Sequence, residues 1–199
     1  FDILQFLDGN DHTFLNLSMG LSKATMEPAY GVEGSTIVTC MCTNGYEFGI
    51  HVAGLGERWI TAPAVQAKGK YFPGYSDQDA NPTMGDSYVS EANGIGGFAM
   101  GAAPGIGQFI GITAQEAVQM TLDMYAITDA EHETFKIPAL NFRGTPLGID
   151  VRKVLKTGVL PVINTGIAHK EPGVGQIGAG IVYAPIEVFE KAAAAMGQM

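Results

Sequence analysis

The sequence predicts an α+β or mixed α/β fold: a small antiparallel sheet with a hairpin early, then helices packed on a mixed sheet late. Three observations predict it. Two apolar, β-branched runs flank Asn44-Gly45, a dipeptide that suits a tight hairpin turn. The second half carries helix-start signals that alternate with short apolar runs. Hydrophobic residues make up 46% of 199 residues and charged ones 16%, enough to bury a real core and leave apolar surface for a partner.

Taken in order, Leu15, Met19, Ser22 and Met26 follow a helical spacing and predict a helix over 13–29, with Asn10 or Asp11 as N-cap. Strands are expected at 35–42, 46–52 and 58–61. The segment 63–87, with Pro63, Pro73 and Pro82, gives little regular signal and reads as a long loop. Residues 92–115 carry no charge and seven glycines, which predicts buried glycine-rich backbone. Thr113-Ala-Gln-Glu116 is a capping box that opens a helix to about residue 128, with Val118, Leu122, Tyr125 and Ile127 inward. Thr145-Pro146 fits the N-cap and first turn of another helix, with Leu147, Val151, Val154 and Leu155 inward and Gly158 just past its end. A buried strand at 160–164, a strand near 181–183 and a helix from Pro185 complete the chain. Residue 87 divides it into two candidate subdomains, 1–87 rich in hairpins and 88–199 alternating helix and strand.

The charge balance narrows the partners. With 11 Lys+Arg against 20 Asp+Glu the net charge is −9. No basic stripe is available to neutralise phosphates, so neither nucleic acid nor a membrane is expected as a partner. The uncharged stretch is too poor in large apolar side chains for a membrane span. Cys40 and Cys42 lie two apart on one strand face, where a disulfide between them would be strained. Two reduced thiols and a cytoplasmic location are the expectation.

Candidate chemistry gathers in four places. Asn164, Thr165, Gly166 and His169 follow an apolar strand, where directed hydrogen bonds and an exchangeable proton would meet a ligand. Gly173, Gly175, Gly178 and Gly180 follow; they precede a strand instead of opening a helix, so a dinucleotide site fails its context, although backbone N–H groups at Gly175 and Gly178 could meet an anion. Arg58, Arg143 and Arg152 are the three arginines. Arg143, beside an expected helix start, is the best candidate to clamp a carboxylate or phosphate, and Arg58 could bind or merely stack on Trp59. Asn10 and His12 form the last polar cluster, which helix capping alone can explain. Asp77, Asp79 and Asn81 imitate a calcium loop, but Pro82 stands where glycine is required, so no metal is expected.

Blocks along the chain, among them Asn10-Asp-His-Thr-Phe-Leu-Asn-Leu-Ser-Met19, Asn44-Gly-Tyr-Glu-Phe-Gly49, Tyr71-Phe-Pro-Gly-Tyr75, Asn141-Phe-Arg-Gly-Thr-Pro146, Gly148-Ile-Asp-Val-Arg-Lys153 and Pro161-Val-Ile-Asn-Thr-Gly-Ile-Ala-His169, resemble the YlbE/YahG-like family. The resemblance runs through the whole chain in the family's order and is strongest to the C-terminal part of its longer members. It implies a subunit of an oxamate carbamoyltransferase-like assembly in allantoin breakdown. The implied reaction converts oxalurate and phosphate to oxamate and carbamoyl phosphate, in an oligomer with an FdrA-like partner subunit and with no cofactor. The Ser-x-Arg-Thr-Arg phosphate loop of aspartate and ornithine transcarbamoylases is absent. On this reading Arg143 clamps an anion, His169 polarises the carbonyl or protonates the leaving nitrogen, and Asn164 with Thr165 orients the substrate. A scaffold for the partner and a metabolite sensor are the competing readings.

Overall fold

The computed structural model describes residues 1–9 and 13–197. Two helices open the chain: α1 (Asp2–Asp8), which buries none of its residues, and α2 (Thr13–Met26). The expected hairpin follows as β1 (Val38–Asn44) and β2 (Glu47–Val52). Its turn is built by the asparagine, whose Oδ1 accepts from the Tyr46 and Glu47 N–H groups, while Gly45 adopts φ 88°. With β3 (Trp59–Pro63) and β5 (Met84–Gly85) the hairpin makes a four-stranded sheet in the order β3-β2-β1-β5.

The expected loop at 63–87 is not wholly irregular. It contains β4 (Lys68–Tyr71), which pairs with β9 (Gln176–Tyr183), and β9 pairs in turn with β8 (Val162–Ala168). Glycine makes the β4–β9 contact possible: a Cβ on Gly69 would stand 2.2 Å from the Ala179 carbonyl oxygen, and one on Gly178 would stand 2.5 Å from that of Lys70. A third sheet is the hairpin of β6 (Thr128–Ile137) and β7 (Arg143–Ile149). Every pairing among the named strands is antiparallel, so the α+β class holds while the mixed late sheet does not.

The uncharged stretch begins at the last residue of the short helix α3 (Val89–Ala92) and continues into a 3-10 segment at Gly96–Ala102 and then α4 (Pro104–Ile110). Its glycines permit close approach: Gly101 lies against α5 (Ala114–Met124) and donates its N–H to Thr121 Oγ1 at 2.9 Å. The capping box forms as expected, with Glu116 accepting from the Thr113 N–H at 2.7 Å. The inward stripe of α5 is shifted, however. Ala117, Thr121 and Met124 are buried and Leu122 is exposed, while Ile127, just past the helix, is buried as expected.

Thr145-Pro146 starts no helix. Both lie in β7, and the chain turns at Gly148 (φ 80°) into α6 (Val151–Thr157). The cap is Asp150, which accepts from the Arg152 N–H and from the Thr36 hydroxyl. Val151 and Val154 are buried, and Gly158 ends the helix at φ 71° as expected. The last element is α7 (Ile186–Ala195).

One apolar core draws Met41, Phe48 and Ile50 from the first sheet, Val162, Ile163 and Val182 from the second, and Phe189 from α7. Residues on either side of position 87 thus share both a sheet and a core. Cys40 is buried, Cys42 is partly exposed, and both are free thiols. Burial pushes the Cys40 thiol up to about 11, which keeps it protonated and unreactive at neutral pH. Among the described residues no helix is long and apolar enough to cross a membrane, and no cluster of His, Cys, Asp and Glu could hold a metal ion.

Candidate functional site

A cleft of about 740 Å³ opens between α2, α3 and the β8–β9 sheet. Its α2 wall is apolar, from Phe14, Leu15 and Met19, and Ile106 and Phe109 of α4 add to it. The sheet contributes Asn164, Thr165, Gly166 and Gln176, the approach to α3 contributes Asp86 and Ser87, and α3 itself contributes Ser90. At the wall stands Glu91, 1% exposed. Such a pocket, mostly apolar with a few directed polar groups, is the usual form of a small-molecule site.

Glu91 is held by three elements. It is carried by α3, and its Oε1 accepts from the Gly97 N–H at 2.7 Å and from the Asn164 N–H of β8 at 3.0 Å. Its Oε2 is buried without a hydrogen-bond partner. The fit depends on Gly96, where a Cβ would stand 2.2 Å from Oε1. Burial pushes the carboxyl up to about 8, against the opposing pull of the two N–H donors, so it is mainly neutral at pH 7. With Oε1 already accepting twice, the proton belongs on Oε2, which makes that oxygen a donor. A neutral carboxylic acid on the wall of an apolar cleft can donate a hydrogen bond or a proton.

Of the sequence candidates, Asn164 and Thr165 reach the cleft, but from the middle of β8 and not from a loop after its end. Asn164 acts through its backbone N–H on Glu91. His169 comes just after β8, outside the cleft lining. Its ring packs edge-on against Tyr75, and its Nδ1 accepts from the Glu171 N–H at 2.9 Å. Arg143 is at no helix start: it lies in β7, ion-paired with Glu131 at 2.7 Å and with its guanidinium 3.5 Å from the centroid of the Tyr125 ring. Arg58 lies beside α7, near Lys191 and Ala194. Gly175 turns the β8–β9 connection at φ 89°, and Gly178 serves strand packing, so neither presents an anion nest at the cleft. Asn10 and His12 lie outside the described residues. Among the described residues no Lys or Arg lines the cleft.

Glu91 escapes sequence reasoning because a single acidic residue in a helical pattern reads as solvated surface. The signal that could have found it is its place at the very edge of the uncharged run 92–115, where an isolated charge borders buried backbone.

Comparison with known proteins supplies the relationship. Residues 1–87 match the family model for oxamate carbamoyltransferase subunit AllG. The chain is 47% identical over 198 residues to "Oxamate carbamoyltransferase subunit AllG" of Escherichia coli (strain K12), covering 99% of this chain and 47% of that protein. It is 46% identical over 191 residues to "Uncharacterized protein YahG" of the same organism, covering 96% of this chain and 40% of that one. A crystal structure of a conserved protein of unknown function from Enterococcus faecalis V583 superposes with TM-score 0.96 at 48% identity, covering 98% of this chain and 47% of that chain. The chain thus spans about half the length, or less, of the relatives it matches. Its sequence fits the YahG/AllG-like family along nearly its whole length.

Proposed function

We propose that the chain forms part of a subunit of a carbamoyl-transferring assembly in the cytoplasm, with the cleft as a binding site for its carbamoylated amide. The single observation behind the choice of site is the neutral, half-satisfied Glu91 carboxyl on the wall of a cleft large enough for a small metabolite. The name of the AllG relative supports the assembly and the acyl group. In the proposed reaction oxalurate and phosphate give oxamate and carbamoyl phosphate. Both reactants are anions, and among the described residues the cleft lining offers Asp86 and Glu91 but no Lys or Arg. The guanidinium or ammonium groups that would hold the charged ends are therefore assigned to residues beyond this lining, on the rest of the subunit or on an FdrA-like partner. The apolar surface of α1 and α2, where Ile3, Leu4, Phe6, Leu17 and Leu21 are exposed, supports such burial against further polypeptide.

The test is carbamoyl phosphate formation from oxalurate and phosphate by the assembly, with and without the protein that carries this chain. Product should require it. Ser18→Trp, which fills the cleft from a partly exposed position on α2, should cut the rate at least tenfold while the subunit stays folded and assembled. Undiminished product without the protein would favour the scaffold or sensor reading.

A further inference from the structure

We propose that Glu91 is the cleft's proton donor: its Oε2–H hydrogen-bonds the amide or ureide end of the substrate and delivers the proton to the nitrogen that leaves. This role deepens the function proposed above and rests on it. The geometry carries the assignment. One carboxyl oxygen is fixed by two N–H donors from separate elements, which locks the rotamer, while the other is buried and unpartnered, on a residue that lines the cleft. A group so held is preorganised, and an unpaired buried oxygen is costly unless a ligand satisfies it.

The chemistry balances. An oxygen of hydrogenphosphate attacks the carbamoyl carbon of a ureide R–NH–CO–NH₂, and a C–O bond forms. The bond from that carbon to the R-bearing nitrogen breaks, and this nitrogen takes the Glu91 proton to leave as R–NH₂. Glu91 is left as carboxylate, and the proton released by the attacking hydrogenphosphate restores it through solvent. No oxidant, reductant or further co-reactant is needed. Expelling an amide nitrogen without protonation would form a strong base, so a positioned acid contributes directly to the rate.

The surroundings keep the acid neutral. The Gly96–Ala102 segment, β8 and α4 carry no charged side chain, and α2 lines the cleft with Phe14, Leu15, Ser18 and Met19. Asp86 and the buried Tyr88 phenol, which burial pushes up to about 12, are the nearby titratable groups. Neither is positive, so only backbone N–H groups favour the carboxylate, and burial outweighs them.

The experiment compares wild-type, Glu91→Gln and Glu91→Ala subunits in the intact assembly. Glutamine can keep the two accepted hydrogen bonds and an N–H donor toward the cleft, but it cannot release a proton. The expected result is a KM within threefold of wild type, a kcat at least 100-fold lower, and loss of the alkaline limb near pH 8. Glu91→Ala should also raise KM. A Glu91→Gln kcat within threefold of wild type would overturn the proposal. If the wild-type assembly makes no carbamoyl phosphate, the function proposed above fails, and equilibrium binding of oxamate then judges Glu91. Affinity that falls above pH 8 for wild type but not for Glu91→Gln sustains it, and equal, pH-independent affinity in wild type and Glu91→Ala overturns it.

Discussion

Replacing Gly97 by alanine should cost on the order of 3 kcal/mol of folding stability, or more. The added Cβ would stand 2.2 Å from the Val162 carbonyl oxygen and 3.0 Å from the Ile163 Cα. Neither neighbour is the loose end of a side chain. Both belong to the β8 backbone, whose side chains at 162 and 163 are fully buried in the core. Relief would need the strand or the Gly96–Ala102 segment to shift, and that would pull the Gly97 N–H from Glu91. Gly105→Ala is the control: it lies in α4 with nothing within 4 Å of its added Cβ, and it should change stability by no more than about 1 kcal/mol. Urea denaturation of both variants measures this. A Gly97→Ala midpoint equal to wild type would show that this segment does not press on β8 closely enough to exclude a methyl group.

Glu91→Gln should stabilise the fold increasingly as pH rises. The folded carboxyl holds its proton up to about 8, whereas the unfolded one releases it near the ordinary value of 4.5. Below pH 4.5 both states are protonated and the burial is fully tolerated. Between 4.5 and 8 the unfolded chain gives up its proton while the native one keeps it, so wild-type stability falls as pH rises. Above 8 both states are ionised and the loss levels off. Glutamine has no such linkage, so the difference between variant and wild type should grow across that window. It should reach a few kcal/mol by pH 9, growing by on the order of 1.4 kcal/mol for each pH step of one inside the window. Urea curves at pH 5, 7 and 9 check it, and parallel stability profiles for the two proteins would contradict it.

Local signals were legible in the sequence where one short motif decides the outcome. Asn44-Gly45 built its hairpin, Thr113 and Glu116 their capping box, and Gly158 its helix end. Local signals misled where pairing at long range overrode them. Thr145-Pro146 carries a good helix start, yet β6 recruits it as a strand and the true cap is Asp150. The β4 strand was hidden because its Lys68-Gly-Lys-Tyr71 sequence has little strand character, and its pairing depends on glycines more than a hundred residues away in β9.

The site was less legible than the fold. Asn164 and Thr165 do line the cleft, and polar residues in an apolar strand stand out in the sequence. The helix start expected beside Arg143 does not form; the residue lies in β7, and its guanidinium stacks over Tyr125 and pairs with Glu131. Glu91 went unseen because its importance comes from burial and from an oxygen left without a partner, and neither is written in local sequence.

Everything proposed for the cleft depends on a neutral carboxylic acid at its wall. The most direct measurement is a pH titration of the carboxyl carbon of Glu91 by ¹³C NMR, using selectively labelled glutamate and Glu91→Gln to assign the resonance. The predicted result is one signal that stays at the protonated position through pH 7 and moves only near pH 8. A signal that titrates with the exposed glutamates near the ordinary value would contradict it and remove Glu91 as the proton donor.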